Sequence, residues 1–170
     1  GLPYYFLNIP FENHLNSDIT AIDYSGMGNN GSVSGATFGS TTGALNGGYS
    51  FDGIGDYIEI LDDITLDYNT SISIDLWVSF NTLENHAPLI NKKSTNPALN
   101  LTNYELRTGG NITNTSPNEI EFVSTFNGTQ IHAYTTNGSA LVPNTFYHVA
   151  VTKIGSSAPL IYVNGILRNA

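Results

Sequence analysis

Apolar and polar side chains alternate along residues 71–80, and this alternation limits the segment to one kind of structure. A period of two places every second side chain on the same face of a β-strand. The apolar face consists of Ile72, Ile74, Leu76, Val78 and Phe80. The opposite face carries Trp77 together with Ser71, Ser73, Asp75 and Ser79. The segment therefore predicts a central strand with one buried face.

Short runs of aromatic and β-branched residues recur along the chain, each bounded by Gly, Asn, Asp, Ser or Pro. Few windows place apolar residues at the spacing of an amphipathic helix. Such a series of strands with scarcely a helix predicts an all-β fold, a two-sheet antiparallel sandwich of the jelly-roll kind, with a closed small barrel as the alternative. The predicted strands are Tyr4–Leu7, Tyr49–Phe51, Tyr57–Ile60, Ile72–Phe80, Ala87–Ile90, Tyr104–Leu106, Ile120–Phe126, Thr129–Tyr134, Phe146–Ile154 and Leu160–Val163.

Asn-Gly pairs mark the sharpest turns between these strands. Asn127-Gly128 separates the runs that end at Phe126 and begin at Thr129. Both central residues of a type I′ hairpin turn need positive φ, which Asn and Gly adopt most easily. Asn137-Gly138 and Asn164-Gly165 repeat this chemistry and predict further tight turns.

The length and the net charge of the chain limit the number of domains and the kinds of ligand that it can bind. The 170 residues fit one domain, so a single domain is predicted over residues 1–170. Fourteen acidic residues against five Lys and Arg give a net charge of −9. Such a surface repels phosphate backbones and anionic lipids, which argues against nucleic-acid binding and membrane docking. No run approaches the ~20 apolar residues that membrane insertion requires. The absence of cysteine excludes disulfides and thiolate chemistry.

Asn-x-Ser/Thr sequons are more frequent than chance placement predicts. Seven occur, where random placement of the Asn, Ser and Thr residues gives roughly four. Two interpretations stay open: an Asn-rich and Thr-rich surface that creates sequons by accident, or a secreted glycoprotein. The candidate glycosylation sites are Asn30, Asn69, Asn100, Asn111, Asn114, Asn127 and Asn137.

A set of short motifs follows a characteristic order along nearly the whole chain. Residues 23–31 read D-Y-S-G-M-G-N-N-G, and residues 50–57 read S-F-D-G-I-G-D-Y. Later come H-V-A-V-T at residues 148–152 and Y-V-N-G at residues 162–165. In this order the motifs resemble the laminin-G-like modules of the concanavalin A-like lectin/glucanase superfamily. The resemblance implies a non-catalytic module of the extracellular space or cell surface. Its function would be recognition or adhesion, and its ligand a carbohydrate or a glycosylated surface.

The resemblance also shows a departure. Members of the superfamily continue beyond Y-V-N-G with further strands, whereas this sequence stops at Ala170. We expect a jelly roll that is incomplete at its C-terminus, either because the segment is part of a longer polypeptide or because a neighbouring polypeptide supplies the missing strands. The second case leads to the alternative function, a structural subunit of an appendage or cell-envelope assembly.

Calcium is the cofactor that the resemblance implies. In the superfamily a calcium ion commonly lies at the rim of the sandwich, and the matching positions here are Asp23, Asp52 and Asp56. Carboxylates are ligands that calcium prefers. The alternative gives Asp52 and Asp56 turn-forming roles, in which their carboxylates accept backbone N–H groups near Gly53 and Gly55.

A glycosidase on the same scaffold ranks third among the functions. Related glucanases carry three alternating acids on one strand, and a retaining mechanism needs two carboxyl groups ~5 Å apart. Here Glu119 and Glu121 alternate, but Val123 stands at the third position. We therefore predict that the chain is not an enzyme. His148 lies in an apolar run and is expected to be a core or interface residue.

Overall fold

A computed structural model of the chain describes residues 6–12, 15–67, 70–93, 102–109, 116–126, 128–135 and 141–168. In these ranges every regular element is a β-strand except one short 3₁₀ helix, Ile64–Leu66. The all-β fold class is therefore confirmed. None of the helical structure in the same ranges has the length and apolar character needed to cross a membrane.

The chain divides into two compact units, residues 1–67 and 68–170. The first unit contains a three-stranded antiparallel sheet with the order β1-β2-β5 and a separate hairpin, β3-β4. Their strands are β1 (Thr20–Ala21), β2 (Gly31–Ser34), β3 (Thr37–Gly39), β4 (Gly48–Ser50) and β5 (Tyr57–Ile60). The single domain predicted over residues 1–170 stays a prediction.

The second unit contains two four-stranded antiparallel sheets. Sheet I has the order β13-β12-β11-β6, and sheet II has the order β10-β9-β8-β7. The strands of sheet I are β6 (Ser71–Ser79), β11 (Phe146–Ile154), β12 (Leu160–Val163) and β13 (Ile166–Leu167). The strands of sheet II are β7 (Pro88–Lys93), β8 (Thr102–Thr108), β9 (Ile120–Phe126) and β10 (Thr129–Tyr134).

The two sheets of this unit pack face to face around one apolar core. Burial of the inward apolar side chains holds the two sheets together. Sheet I contributes Ile74, Val149, Val151 and Ile161, and sheet II contributes Leu106, Ile120, Phe122 and Ala133. The arrangement is that of an antiparallel concanavalin A-like sandwich, as predicted, and not that of a closed barrel.

The predicted central position of the Ser71–Phe80 strand differs from the structure. Within the described residues β6 pairs with β11 alone and forms an edge of sheet I. Its alternation is confirmed, because Ile74 is buried, the other inward apolar residues of the strand pack against the core and the serines face outward. Alternation fixes which face of a strand is buried, but it does not state how many strands lie beside it.

The β12–β13 hairpin uses the predicted Asn-Gly chemistry. Asn164 has φ of 51° and Gly165 has φ of 75°, and Val163 pairs with Ile166 across the two-residue loop. Gly128 also has a positive φ of 75° where Phe126 pairs with Thr129. Asn127 and the Asn137-Gly138 pair lie outside the described residues.

Candidate functional site

The outward face of sheet I presents an exposed tryptophan. Because the inward positions of β6 are apolar, Trp77 must point away from the core, and 49% of its surface is exposed. The pairing of β6 with β11 places His148 directly opposite Trp77. The two rings lie 5.3 Å apart between centroids and are tilted by 52°. They form an aromatic corner open to solvent.

Asp75 adds a carboxylate to this corner. It lies two residues before Trp77 on the same face of β6, and its Oδ2 atom is 3.7 Å from Nε2 of His148. The Asp75 side chain is 69% exposed and the His148 side chain is 31% exposed. We call Asp75, Trp77 and His148 the Trp77 surface.

The backbone beside His148 is held in place by the Asn-Gly turn. The His148 N–H donates to Oδ1 of Asn164 at 2.9 Å, and the Asn164 N–H donates to the His148 carbonyl at 2.8 Å. This pair of hydrogen bonds fixes the start of β11 against the end of β12. His148 therefore lies on the outward face of its strand and is not a core residue, whereas the alternative that it is an interface residue stays a prediction.

The outward face of sheet II carries a charged network. Arg107 donates from Nε to Oε2 of Glu121 at 2.6 Å and from Nη1 to Oε2 of Glu105 at 3.2 Å. His132 lies with Nδ1 2.8 Å from the other oxygen of Glu121. The side chains of Glu105 and Glu121 are only 6% and 3% exposed. Lys93 lies farther from Glu105, at 3.7 Å.

The charged groups of this network are paired with one another. Burial lowers the pKa of Arg107, but the hydrogen bond and charge of Glu121 and the charge of Glu105 outweigh it, so the pKa is raised above its usual value. Both carboxylates thus accept charge-assisted hydrogen bonds from one shared guanidinium. These polar atoms already bind each other, whereas the aromatic faces of the Trp77 surface meet solvent.

Glu119 and Glu121, the pair considered for glycoside hydrolysis, have different surroundings. Glu119 precedes β9, its carbonyl accepts the Gly109 N–H at 2.8 Å, and burial raises the pKa of its side chain. Glu121 lies within β9 and is occupied by Arg107 and His132. This network could not be predicted from the sequence, because it arises from the pairing of β8, β9 and β10.

Asp23 organises the loop that contains the first glycine motif. Its two carboxylate oxygens accept four hydrogen bonds: the N–H groups of Asn8, Ser25 and Asn29, and the Ser25 hydroxyl. The distances lie between 2.7 and 2.9 Å. Four donors fill the acceptor sites of a carboxylate. The sequence produces this arrangement because Asp and Ser side chains at turn positions accept a hydrogen bond from the backbone N–H two residues later.

The other two predicted calcium ligands also bind backbone groups. Asp52 accepts the Ile54 N–H at 2.7 Å, and Asp56 accepts the Asp52 N–H at 2.8 Å. Throughout the ranges that the structure describes, no three His, Asp or Glu side chains are grouped so that they could hold a metal ion. The arrangement of Asp23 does not fit a calcium ligand, and calcium binding stays a prediction.

The hydrogen bonds of Asp23 predict a loss of stability in acid. Burial raises the pKa of this carboxyl, but the bonds from Asn8, Ser25 and Asn29 outweigh it and hold the pKa below its usual value. A depressed folded pKa stabilises the protein above the unfolded value of about 3.9, and this contribution disappears as pH falls through the folded pKa. We expect urea unfolding to show a smaller loss of stability in acid for Asp23→Asn than for the wild type. An equal loss in both proteins would contradict this.

One predicted glycosylation site lies among the described residues. Asn30 is exposed immediately before β2, and its Oδ1 atom accepts the Asp23 N–H at 2.8 Å. The remaining six predicted sites lie outside the described residues, so glycosylation stays a prediction. They are Asn69, Asn100, Asn111, Asn114, Asn127 and Asn137.

Comparison with known proteins places the chain in a family. The family model described as the Concanavalin A-like lectin/glucanases superfamily matches residues 51–170. No match was found among curated proteins or among solved structures. The matched region holds both sheets of the second unit, the Trp77 surface and the charged network. Since it covers more than half of the sequence, the chain belongs to the concanavalin A-like lectin/glucanases superfamily as a laminin-G-like member.

Proposed function

We propose that the chain is a non-catalytic recognition or adhesion module that binds carbohydrate at the Trp77 surface, in the extracellular space or at a cell surface. The observation that carries the proposal is the half-exposed Trp77 ring beside His148 and Asp75. A sugar ring can place its C–H face on an indole ring, while a carboxylate and an imidazole bind its hydroxyl groups. Membership of a superfamily of lectins and glucanases supports this ligand class.

The charged network supports the non-catalytic part of the proposal. A retaining glycosidase needs one free carboxylate as nucleophile and one protonated carboxyl as general acid. Glu121 is already bound by Arg107 and His132, and Glu105 is bound by the same guanidinium. Both carboxylates therefore already accept charge-assisted hydrogen bonds and are not free to attack or protonate a sugar. We assign the network to stability.

Trp77→Ala is expected to abolish most glycan binding. A glycan array first identifies the oligosaccharides that the wild type binds, and titration calorimetry then gives their dissociation constants. Loss of the indole platform should weaken binding about tenfold or more, because a well-stacked ring contributes on the order of 1.4 kcal/mol or more. Trp77→Phe keeps a smaller ring and should retain part of the affinity.

Ile154→Ala provides the matched control. Ile154 is an exposed apolar residue on the same outward face of sheet I, and it lies opposite Ser71 at the far end of β6. The Ile154→Ala substitution should leave the dissociation constants of the glycans unchanged. Full affinity in a folded Trp77→Ala protein would contradict the assignment to this surface. Binding that disappears only when a chelator is added would instead favour a calcium-dependent loop site.

A structural subunit is the second candidate function. Within the described part of the chain β6 has a strand partner on one side only, so its other edge could accept a strand from a neighbouring chain. Light scattering of the purified protein distinguishes the two roles. A monomer that binds glycans supports recognition, whereas a stable assembly without glycan binding supports the structural role.

A further inference from the structure

We infer that the sugar bound at the Trp77 surface is an amino sugar whose amino group is protonated. This inference rests on the proposed function and names its ligand class. The structure suggests it because an aromatic face and an exposed carboxylate lie side by side, a combination that suits a ring carrying a positive charge.

Among the described residues, His148 is the side chain that can pair with the carboxylate of Asp75 on its own face. Across the strand pair Asp75 faces Ala150, whose methyl group leaves space beside the carboxylate. The distance of 3.7 Å between His148 Nε2 and Asp75 Oδ2 exceeds that of a normal hydrogen bond. The outward positions of β6, β11 and β12 hold no lysine or arginine.

The spacing between the two groups fits a single sugar unit. Alternate residues on one strand face lie roughly 7 Å apart, since a strand rises about 3.3 Å per residue. A pyranose ring stacked on Trp77 can therefore direct a substituent at its edge toward Asp75. An ammonium substituent gains a charge-assisted hydrogen bond there, and its charge is also attracted to the negative face of the indole.

The overall charge favours the same ligand class. The chain carries a net charge of −9, so a cationic oligosaccharide is attracted to it at long range and an acidic one is repelled. Uronic acid or sulfate groups would meet Asp75 without a compensating cation on these strands. The Trp77 surface should therefore select amino sugars first, neutral sugars second, and acidic sugars last.

Titration calorimetry with three oligosaccharides of equal length tests the inference. The probes are a glucosamine oligomer, the matching N-acetylglucosamine oligomer and a glucuronate-containing oligomer, at about pH 5.5, well below the α-amino pKa of about 7.7–8.0. We expect the wild type to bind the glucosamine oligomer about fivefold or more tightly than its acetylated form, and the glucuronate oligomer most weakly. Raising the salt concentration should weaken only the glucosamine complex.

Asp75→Asn separates this inference from the proposed function. The variant should lose the preference for glucosamine while still binding the acetylated oligomer, whereas Trp77→Ala should weaken both. Glu59→Gln removes the same charge from an exposed position on β5 and should keep the preference. Equal affinity of the wild type for both oligomers, or a preference that survives in Asp75→Asn, overturns the amino-sugar inference and leaves glycan binding standing. Absence of any glycan binding overturns both.

Discussion

Arg107→Met is expected to lower the free energy of unfolding by about 3–5 kcal/mol, because it removes the guanidinium that two buried carboxylates share. Glu121 loses its 2.6 Å partner and Glu105 loses its 3.2 Å partner in the same substitution. Both side chains are almost fully buried, so water cannot replace the guanidinium. Chemical denaturation followed by tryptophan fluorescence measures the change.

Lys93→Met is the control for this prediction. Lys93 also pairs with Glu105, but at 3.7 Å and with 57% of its side chain exposed. Exposed ion pairs contribute about 0–1 kcal/mol, so this variant should remain close to the wild type. The double variant Arg107→Met, Glu121→Gln should recover part of the loss, since one of the two uncompensated charges is removed. A change below about 1 kcal/mol in Arg107→Met would show that the network is not a stabilising element.

Asp23→Ala is expected to lower the free energy of unfolding by about 3 kcal/mol, because four donors lose one shared acceptor. Three of these donors are backbone N–H groups: Ser25 and Asn29 lie in the same loop as Asp23, and Asn8 lies in an earlier segment that Asp23 ties to this loop. Side chains of other residues can replace few of these bonds, since the loop is built around the buried carboxylate. Urea denaturation of the variant and the wild type measures the difference.

Asp52→Ala tests whether the effect is specific to Asp23. Asp52 is exposed, and its carboxylate accepts the Ile54 N–H. Water can take the place of such a surface bond, and the expected loss is below about 1 kcal/mol. Equal losses in Asp23→Ala and Asp52→Ala would contradict the central role of Asp23 in its loop.

Much of the strand pattern was predictable from the sequence. The bounds of β9, β10, β11 and β12 are those that the aromatic and β-branched runs predict. Each of these runs is long enough to show its composition and ends at a clear turn signal. Local chemistry suffices for such strands, because the burial of one face and the turn residues at both ends favour the same structure.

The short strands were missed for a physical reason. β2 reads Gly-Ser-Val-Ser and β13 has two residues, so neither carries an alternation that could be recognised. β2 exists because β1 and β5 supply hydrogen bonds on its two sides, and β13 exists because the Asn164-Gly165 turn folds the chain back onto β12. Pairing partners created these strands, and composition alone does not reveal a partner.

The sequence by itself determined which way the important side chains point. Alternation along residues 71–80 placed Asp75 and Trp77 together on the polar face of one strand, since side-chain direction is a local property of an extended chain. Only the tertiary structure decided which side chains of other strands lie beside them. His148 meets Trp77, and Arg107 meets Glu121, through the register between strands that are distant in sequence. Register is set by the burial of both sheets at once, and no single segment contains that information.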